Sequence, residues 1–264
     1  MGISYRNPLP SLSFLKQPRK RLLWVCVLAV ASFTGCATQP YGESEPDPIE
    51  PVNRIMYGLT DLADRTLLEP MADLYLLATP DPVHQGISNF FDNIGYLDVI
   101  INDFLQGKVE QGASDIGRFA VNSTIGLLGV LDVATPMGMN KHDEDLGQTL
   151  GVWGFGEGPY LFVPLYGPNN LRDVGNIPMG MFTNPLYYSE SGLAGPLVAL
   201  SFINRRARLK SASKVRDQVA LDPYIFTREA YRQNRMYKIH DGNPPELTLD
   251  DALDAELEAA LNEK

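Results

Sequence analysis

Residues 47–63 read DPIEPVNRIMYGLTDLA, and the spacing of their apolar side chains decides the fold class. Val52, Ile55, Met56, Leu59, Leu62 and Ala63 recur at intervals of three and four, the period of an amphipathic helix. The residues just before them have the chemistry of a helix start. Asp47 is placed as N-cap, Pro48 at the first helical position, and Glu50 three residues after the cap, where it reaches back in a capping box.

The same period continues downstream. A second helix is expected over about residues 69–78, and Pro82 opens a third whose stripe is Val83, Ile87, Phe90, Phe91, Ile94 and Leu97. Val109, Ala113, Ile116 and Ala120 form a fourth stripe, which runs into an apolar segment, 119–134, broken by Gly126 and Gly129. A bilayer span needs roughly 20 apolar residues, so this segment either reaches across one leaflet or lies in a core, and periodicity does not choose. Residues 145–168 turn to Gly, Pro and aromatics, favouring turns, a hairpin or a re-entrant loop over a long helix. Trp153, Tyr160 and Tyr166 are amphipathic rings that suit either a lipid interface or aromatic packing in the core.

Helical signals return at Pro196 and lead into the chain's one basic cluster, residues 204–210 (NRRARLK). Such a cluster meets lipid phosphates or an acidic partner, or is a solvated face paired with local acids. Asp222-Pro223 starts a further helix that runs through about Tyr237; a linker at 241–246 separates it from an acidic helix over 249–261, capped by Thr248. The fold class that follows is all-α, a set of amphipathic helices with a Gly/Pro/aromatic hairpin or re-entrant loop.

Upstream, Lys16, Arg19, Lys20 and Arg21 precede an apolar stretch, 22–33, too short to span a bilayer and ending in Phe33-Thr34-Gly35-Cys36. Small residues before a cysteine are what a lipoprotein signal peptidase seats, and the stretch resembles a lipobox. The expectation is a signal peptide over 1–35, acylation of Cys36, a polar tether over 36–46, a helical domain over 47–240, and linker plus tail over 241–264. Cleavage removes Cys26 and leaves Cys36 as the only thiol, so no disulfide forms within the chain. It also removes five basic residues and no acidic ones, leaving 17 against 32 in the mature chain, a net charge of −15. Nucleic acid is excluded as a partner by that sign, and any membrane contact is expected to be apolar and local.

Catalytic motifs are missing. His84, His142 and His240 accompany no nucleophile motif, Gly86-Ile87-Ser88 lacks the second glycine of a nucleophile elbow, and the glycines at 151, 154, 156 and 158 make no phosphate loop. Asp143, Glu144 and Asp145 have no metal-ligand spacing and read as a solvated loop. No enzyme, metal or cofactor is expected, beyond acyl chains on Cys36.

Several motifs in order resemble one family. They are Asp47-Pro48-Ile49-Glu50 with Asn53-Arg54, Ser88-Asn89-Phe90-Phe91-Asp92-Asn93, Asn102-Asp103-Phe104-Leu105-Gln106-Gly107 and Gly117-Arg118-Phe119-Ala120-Val121-Asn122-Ser123-Thr124-Ile125-Gly126. They continue with Gly147-Gln148-Thr149-Leu150-Gly151, Gly158-Pro159-Tyr160, Pro164-Leu165-Tyr166-Gly167-Pro168, Leu171-Arg172-Asp173 and Asp222-Pro223-Tyr224-Ile225. Behind a lipobox, and spanning about 47–238, this set is similar to the MlaA (VacJ) family of outer-membrane lipoproteins. Leu97 stands where the family usually has proline, so the third helix is expected to run on, and 174–178 departs from the family's acidic pattern.

The resemblance implies a ring-like helical protein lodged in the inner leaflet of the outer membrane, facing the periplasm. An amphipathic channel would admit misplaced phospholipids and pass them to a soluble periplasmic lipid-binding protein, with a trimeric porin as companion. Ala37 in place of Asp fits outer-membrane sorting. Within the matching motifs, Asn53, Arg54, Arg118 and Asn122 are expected either to line the lipid path or to cross-link helices. The alternatives are a structural envelope lipoprotein that braces porins, or a lipid-modifying hydrolase.

Overall fold

The structure is a computed structural model that describes residues 47–189 and 192–245. The signal peptide, Cys36, the tether and the acidic tail helix lie outside the described residues.

Helix α1, Glu50–Ala63, begins two residues later than its proline suggests, with Ile49 in the capping position and Pro51 in the first turn. Asp47 explains the delay. Its Oδ1 accepts the Ile49 backbone N–H at 3.1 Å, and its carboxylate also takes hydrogen bonds from Asn53 Nδ2 and the Tyr224 hydroxyl. Glu50 does not close a capping box; it accepts from Arg54 Nε at 2.6 Å, one helical turn on.

A π-helical turn, Asp64–Leu68, joins α1 to α2, Glu69–Ala78. Four residues beyond Leu62 an ordinary helix would present Thr66. The wider π turn moves the stripe to Leu67 and brings Met71, Leu74 and Leu77 into line with Val52, Ile55, Leu59 and Leu62.

Helix α3, Asp81–Leu105, runs unbroken for 25 residues, as Leu97 in place of proline allows. A three-residue connection with Gly107 at φ +78° turns it back into α4, Val109–Thr124, and the two pack together. Beyond a ten-residue connection and a 3-10 turn at Thr135–Met137 comes a short helix that sequence reasoning missed: α5, Leu146–Val152, where Asp145 caps the Gln148 N–H.

Of the turns, hairpin or re-entrant loop left open for this stretch, a hairpin is present: β1, Tyr160–Val163, pairs antiparallel with β2, Gly167–Asn170, with Tyr160 opposite Asn170 and Val163 opposite Gly167. A 3-10 turn at Asp173–Gly175, α6 (Asn176–Thr183) and a 3-10 turn at Pro185–Tyr188 follow. The described chain continues with α7 (Ala194–Arg208), α8 (Lys210–Val219) and α9 (Pro223–Ile239), whose N-cap is Asp222. The aromatic core is small: Tyr160, Phe162 and Tyr224, with Met56, Tyr57 and Tyr231 against them.

Candidate functional site

The distribution of side chains is inverted relative to a water-soluble bundle. Along α1, the π turn and α2, the stripe Val52, Ile55, Leu59, Leu62, Leu67, Met71, Leu74 and Leu77 is between 41% and 85% exposed. A contiguous apolar face of this kind is costly in water and marks contact with lipid or another apolar surface. A second exposed apolar feature is the turn after α4, where Ile125, Leu127, Leu128 and Leu131 all face out. Leu127 and Leu128 adopt φ +54° and +60°, a conformation costing roughly 1–2 kcal/mol per L-residue. The turn needs its two glycines. A Cβ on Gly126 would lie 2.3 Å from the Leu131 carbonyl oxygen, and one on Gly129 would lie 2.3 Å from Asn93 Cβ.

Inside, the buried positions are mostly polar. Arg118 donates to Thr135 Oγ1 (2.9 Å), the Met139 carbonyl (2.6 Å) and Asp132 Oδ2 (2.8 Å). Asn122 donates to Asp132 Oδ1 (3.1 Å) and accepts the Val133 and Ala134 backbone N–H groups, both at 2.9 Å. Burial pushes the Asp132 carboxyl up, but hydrogen bonds from Thr135, Arg118 and Asn122 outweigh it and hold it at about 2.

A second network centres on Asp173, which is 1% exposed and takes the Tyr231 hydroxyl at 2.5 Å and Arg172 Nε at 2.8 Å. Arg235 joins it to α5 through two hydrogen bonds to Asp145 (2.5 and 2.8 Å). Burial also pushes Asp145 up, and these contacts bring it down to about 2. The acid run 143–145 is therefore only in part a solvated loop: Glu144 is buried against Lys108 at 2.8 Å, while Asp143 is exposed and pairs with Lys238.

Where α3 meets α4, Asp103 and Asp115 are both fully buried. Asp115 accepts from the Tyr96 hydroxyl (2.9 Å) and lies 3.0 Å from His142 Nδ1, while Asp103 Oδ1 accepts from Gln111 (2.7 Å) and its Oδ2 has no donor. Burial, and then the neighbouring Asp115 carboxyl, pushes the Asp103 carboxyl up to about 7. A raised carboxyl contributes stability that is complete below its unfolded pKa of about 3.9 and lost as pH rises through the folded value. Asp103→Asn supplies a permanent amide donor toward Asp115. It is expected to unfold at higher denaturant than the parent at pH 8, by on the order of 1 kcal/mol, with the advantage shrinking as pH falls and gone below about 3.9. A variant less stable than the parent at pH 8 would refute this.

Two cavities open within this frame. One, of about 530 Å³, lies among α1, the hairpin and α7–α9, with Phe162, Leu165, Phe202, Leu209 and Phe226 on its apolar wall and Asp61, Asp64, Arg205, Arg206 and Arg216 on its charged one. The other, of about 370 Å³, is lined by Asn169, Asn176, Asn184, Tyr187, Arg205 and Arg235 among others.

The polar residues singled out in the sequence bond across elements. Asn53 clamps α1 to β1, donating to the Tyr160 carbonyl and accepting the Phe162 N–H, each at 2.9 Å. Arg54 joins Glu50 to Asp222 (2.8 Å) and lies over the Tyr224 ring. Arg118 and Asn122 tie α4 to the segment after it and also line a small cavity of about 70 Å³. Of the three aromatics, Trp153 is half exposed and donates to the Leu105 carbonyl (3.1 Å), and Tyr166 lines both the 530 Å³ and the 370 Å³ cavity. Tyr160 is 7% exposed and packs edge-on to Tyr224, so it is a core residue and not an interface ring. Sequence reasoning did not single out Asp103, Asp115, Asp132, Asp173 or Gln148. Asp103, Gln148 and Asp173 stand within the quoted motifs without a role assigned, and the signal available for Asp115 was its spacing with Arg118 and Asn122 on α4.

Among the described residues no group of His, Cys, Asp and Glu is arranged to hold a metal ion. No described helix is long and apolar enough to cross a membrane.

Comparison with known proteins agrees with this geometry. The family model for the MlaA lipoprotein matches residues 45–238. The intermembrane phospholipid transport system lipoprotein MlaA of Shigella flexneri is 35% identical over 234 residues, covering 84% of this chain and 90% of the relative. Its Escherichia coli K12 counterpart is 34% identical over the same shares. A chain solved in work on the structural basis for maintenance of bacterial outer membrane lipid asymmetry superposes with a TM-score of 0.65 at 31% identity, covering 74% of this chain and all of that one. With these matches over the described helical domain, the chain belongs to the MlaA lipoprotein family.

Proposed function

We propose that this chain is an outer-membrane lipoprotein that moves phospholipid between the membranes of the envelope and so maintains outer-membrane lipid asymmetry. The observation that carries the reading is the inversion: an apolar stripe along α1 and α2 faces out, while ion pairs and two part-polar cavities lie within. Acyl chains on Cys36 and the apolar face seat the body in the inner leaflet, facing the periplasm. A phospholipid headgroup resists hydrocarbon by several kcal/mol or more, and a charged interior removes much of that cost while the tails keep apolar contact. No covalent step is needed. Direction comes from a soluble periplasmic carrier of higher lipid affinity, and a trimeric porin is the proposed companion.

Deletion of the gene is expected to raise phospholipid in the outer leaflet, measured by labelling intact cells, with rescue by the wild type and not by Cys36→Ser. Unchanged asymmetry in the deletion would overturn the transport reading in favour of a structural envelope lipoprotein.

A further inference from the structure

Eleven arginines fall among the described residues, and ten lie within 4.0 Å of a carboxylate. Arg205 does not. In the same basic cluster Arg206 takes Asp64 (2.7 Å), Arg208 takes Asp92 (2.7 Å) and Lys210 takes Asp73 (2.6 Å). The one hydrogen bond recorded for Arg205 is a long one, from Nη2 to the Tyr166 carbonyl at 3.4 Å. Its side chain is open to solvent yet surrounded by protein, and that burial lowers its pKa.

Position gives this unpaired charge a use. Arg205 lines both the 530 Å³ and the 370 Å³ cavity, which also share Tyr166, Pro168 and Tyr231. The 530 Å³ cavity carries three arginines against two aspartates, and both aspartates are already engaged, Asp64 by Arg206 and Asp61 by Arg65 and Arg216. The 370 Å³ cavity has Arg205 and Arg235 on its wall and no acid. Arg206, Arg216 and Arg235 are themselves paired with carboxylates, so Arg205 is the uncompensated positive charge on both walls, in a chain of net charge −10. On one side of Arg205 stand Phe162, Phe202 and Phe226, suited to acyl tails; on the other stand Asn169, Asn176 and Asn184, suited to a polar headgroup.

We propose that Arg205 is a phosphate-binding residue of the lipid passage, holding the phosphodiester of a glycerophospholipid where the apolar and polar cavities meet. The inference rests on the transport reading above. An arginine held without a carboxylate keeps its planar fork of donors for a phosphate, to which it binds through paired charge-assisted hydrogen bonds. A carboxylate at hydrogen-bond distance would compete with the headgroup.

The test uses full-length protein in detergent, offered dioleoylphosphatidylglycerol and dioleoylglycerol in equal amounts, with bound lipid quantified by mass spectrometry. The wild type is expected to prefer the phospholipid by about tenfold, the size of one charge-assisted contact, and Arg205→Gln to fall to near parity. Arg205→Lys keeps the charge and is expected to keep most of the preference. Melting curves of both variants should match the wild type, because Arg205 supports no other side chain. An Arg205→Gln protein that retains the full preference would overturn the proposal. So would glycerol 3-phosphate displacing the lipid at equal concentration, which would mark a site for free phosphate. A wild-type protein that takes up neither lipid would instead count against the transport reading itself.

Discussion

Replacing Leu59 and Leu62 together by glutamate, in an unacylated Cys36→Ser background, is expected to release the protein from phospholipid vesicles that the Cys36→Ser parent still binds. Both leucines sit on the outward stripe of α1 and are about 60% exposed, at 59% and 61%. Each substitution removes an apolar contact and adds a charge, which at membrane depth differ by about 3 kcal/mol, so the pair is worth on the order of 5 kcal/mol, over a thousandfold in partition. The fold should survive, because neither side chain reaches the aromatic core or a buried ion pair. Flotation with vesicles reads the first effect and melting in detergent the second. Equal flotation of the two proteins would show that this face does not meet lipid.

That expectation changes the part played by Cys36. Read from sequence, the hold on the membrane rests on acyl chains at Cys36, with the apolar segment 119–134 left open between one leaflet and a core. The proposed lipid contact of the exposed stripe would add a second attachment along α1 and α2, a helical stretch of 29 residues or about 43 Å. Two attachments matter physically, since a single acyl chain gives only marginal binding. On the proposed reading, the anchor would keep the body at the surface and the stripe would set which side enters the leaflet.

Much of the fold was legible because helix signals are local. The bounds of α2, the long run of α3 and the Asp222 cap of α9 follow from proline, capping residues and the 3.6-residue period. Which side of each helix faces inward was not legible. On α4, Val109, Ala113, Ile116 and Ala120 form the apolar stripe, and in a water-soluble bundle that stripe would be buried. Here it is exposed, and Asp115, Arg118 and Asn122 are the buried side. Periodicity fixes the angle between two faces, and only the surrounding solvent decides which of them goes inside.

The candidate site was legible in residue type and illegible in pairing. Residues 204–210 announce a basic cluster, but its partners Asp64, Asp73 and Asp92 lie more than a hundred residues away in sequence, so only the fold separates paired cations from the unpaired Arg205. The same applies to residues 143–145. Their density of charge suggests solvation, whereas Lys108, Arg235 and Lys238 arrive from α9 and the α3–α4 connection to neutralise them. Buried charge is tolerated where such partners are supplied, and long-range partners leave no local trace.

Arg118→Ala is expected to cost about 3 kcal/mol of stability, the range for removing one partner of a buried, hydrogen-bonded pair. Arg118 is 4% exposed and its three hydrogen bonds bridge α4 to Asp132, Thr135 and Met139, so its loss frees the whole segment after the leucine turn. Arg118→Lys should recover only part, because an ammonium cannot reproduce a planar fork. The pH dependence provides a second reading. With its folded pKa at about 2, Asp132 contributes stability that is present above the unfolded carboxylate value of about 3.9 and lost as pH falls through 2. Removing Arg118 leaves Thr135 and Asn122 on that carboxylate, so the acid-linked loss should shrink without vanishing. Denaturant midpoints at pH 7 and pH 3 measure both effects. Near-parental stability at pH 7 together with impaired lipid transfer would move Arg118 from the frame to the lipid path, the role that Arg205 is proposed to fill. The two arginines thus give opposite expectations from opposite surroundings: three internal bonds commit Arg118 to holding the fold, and the lack of a carboxylate leaves Arg205 free for a ligand.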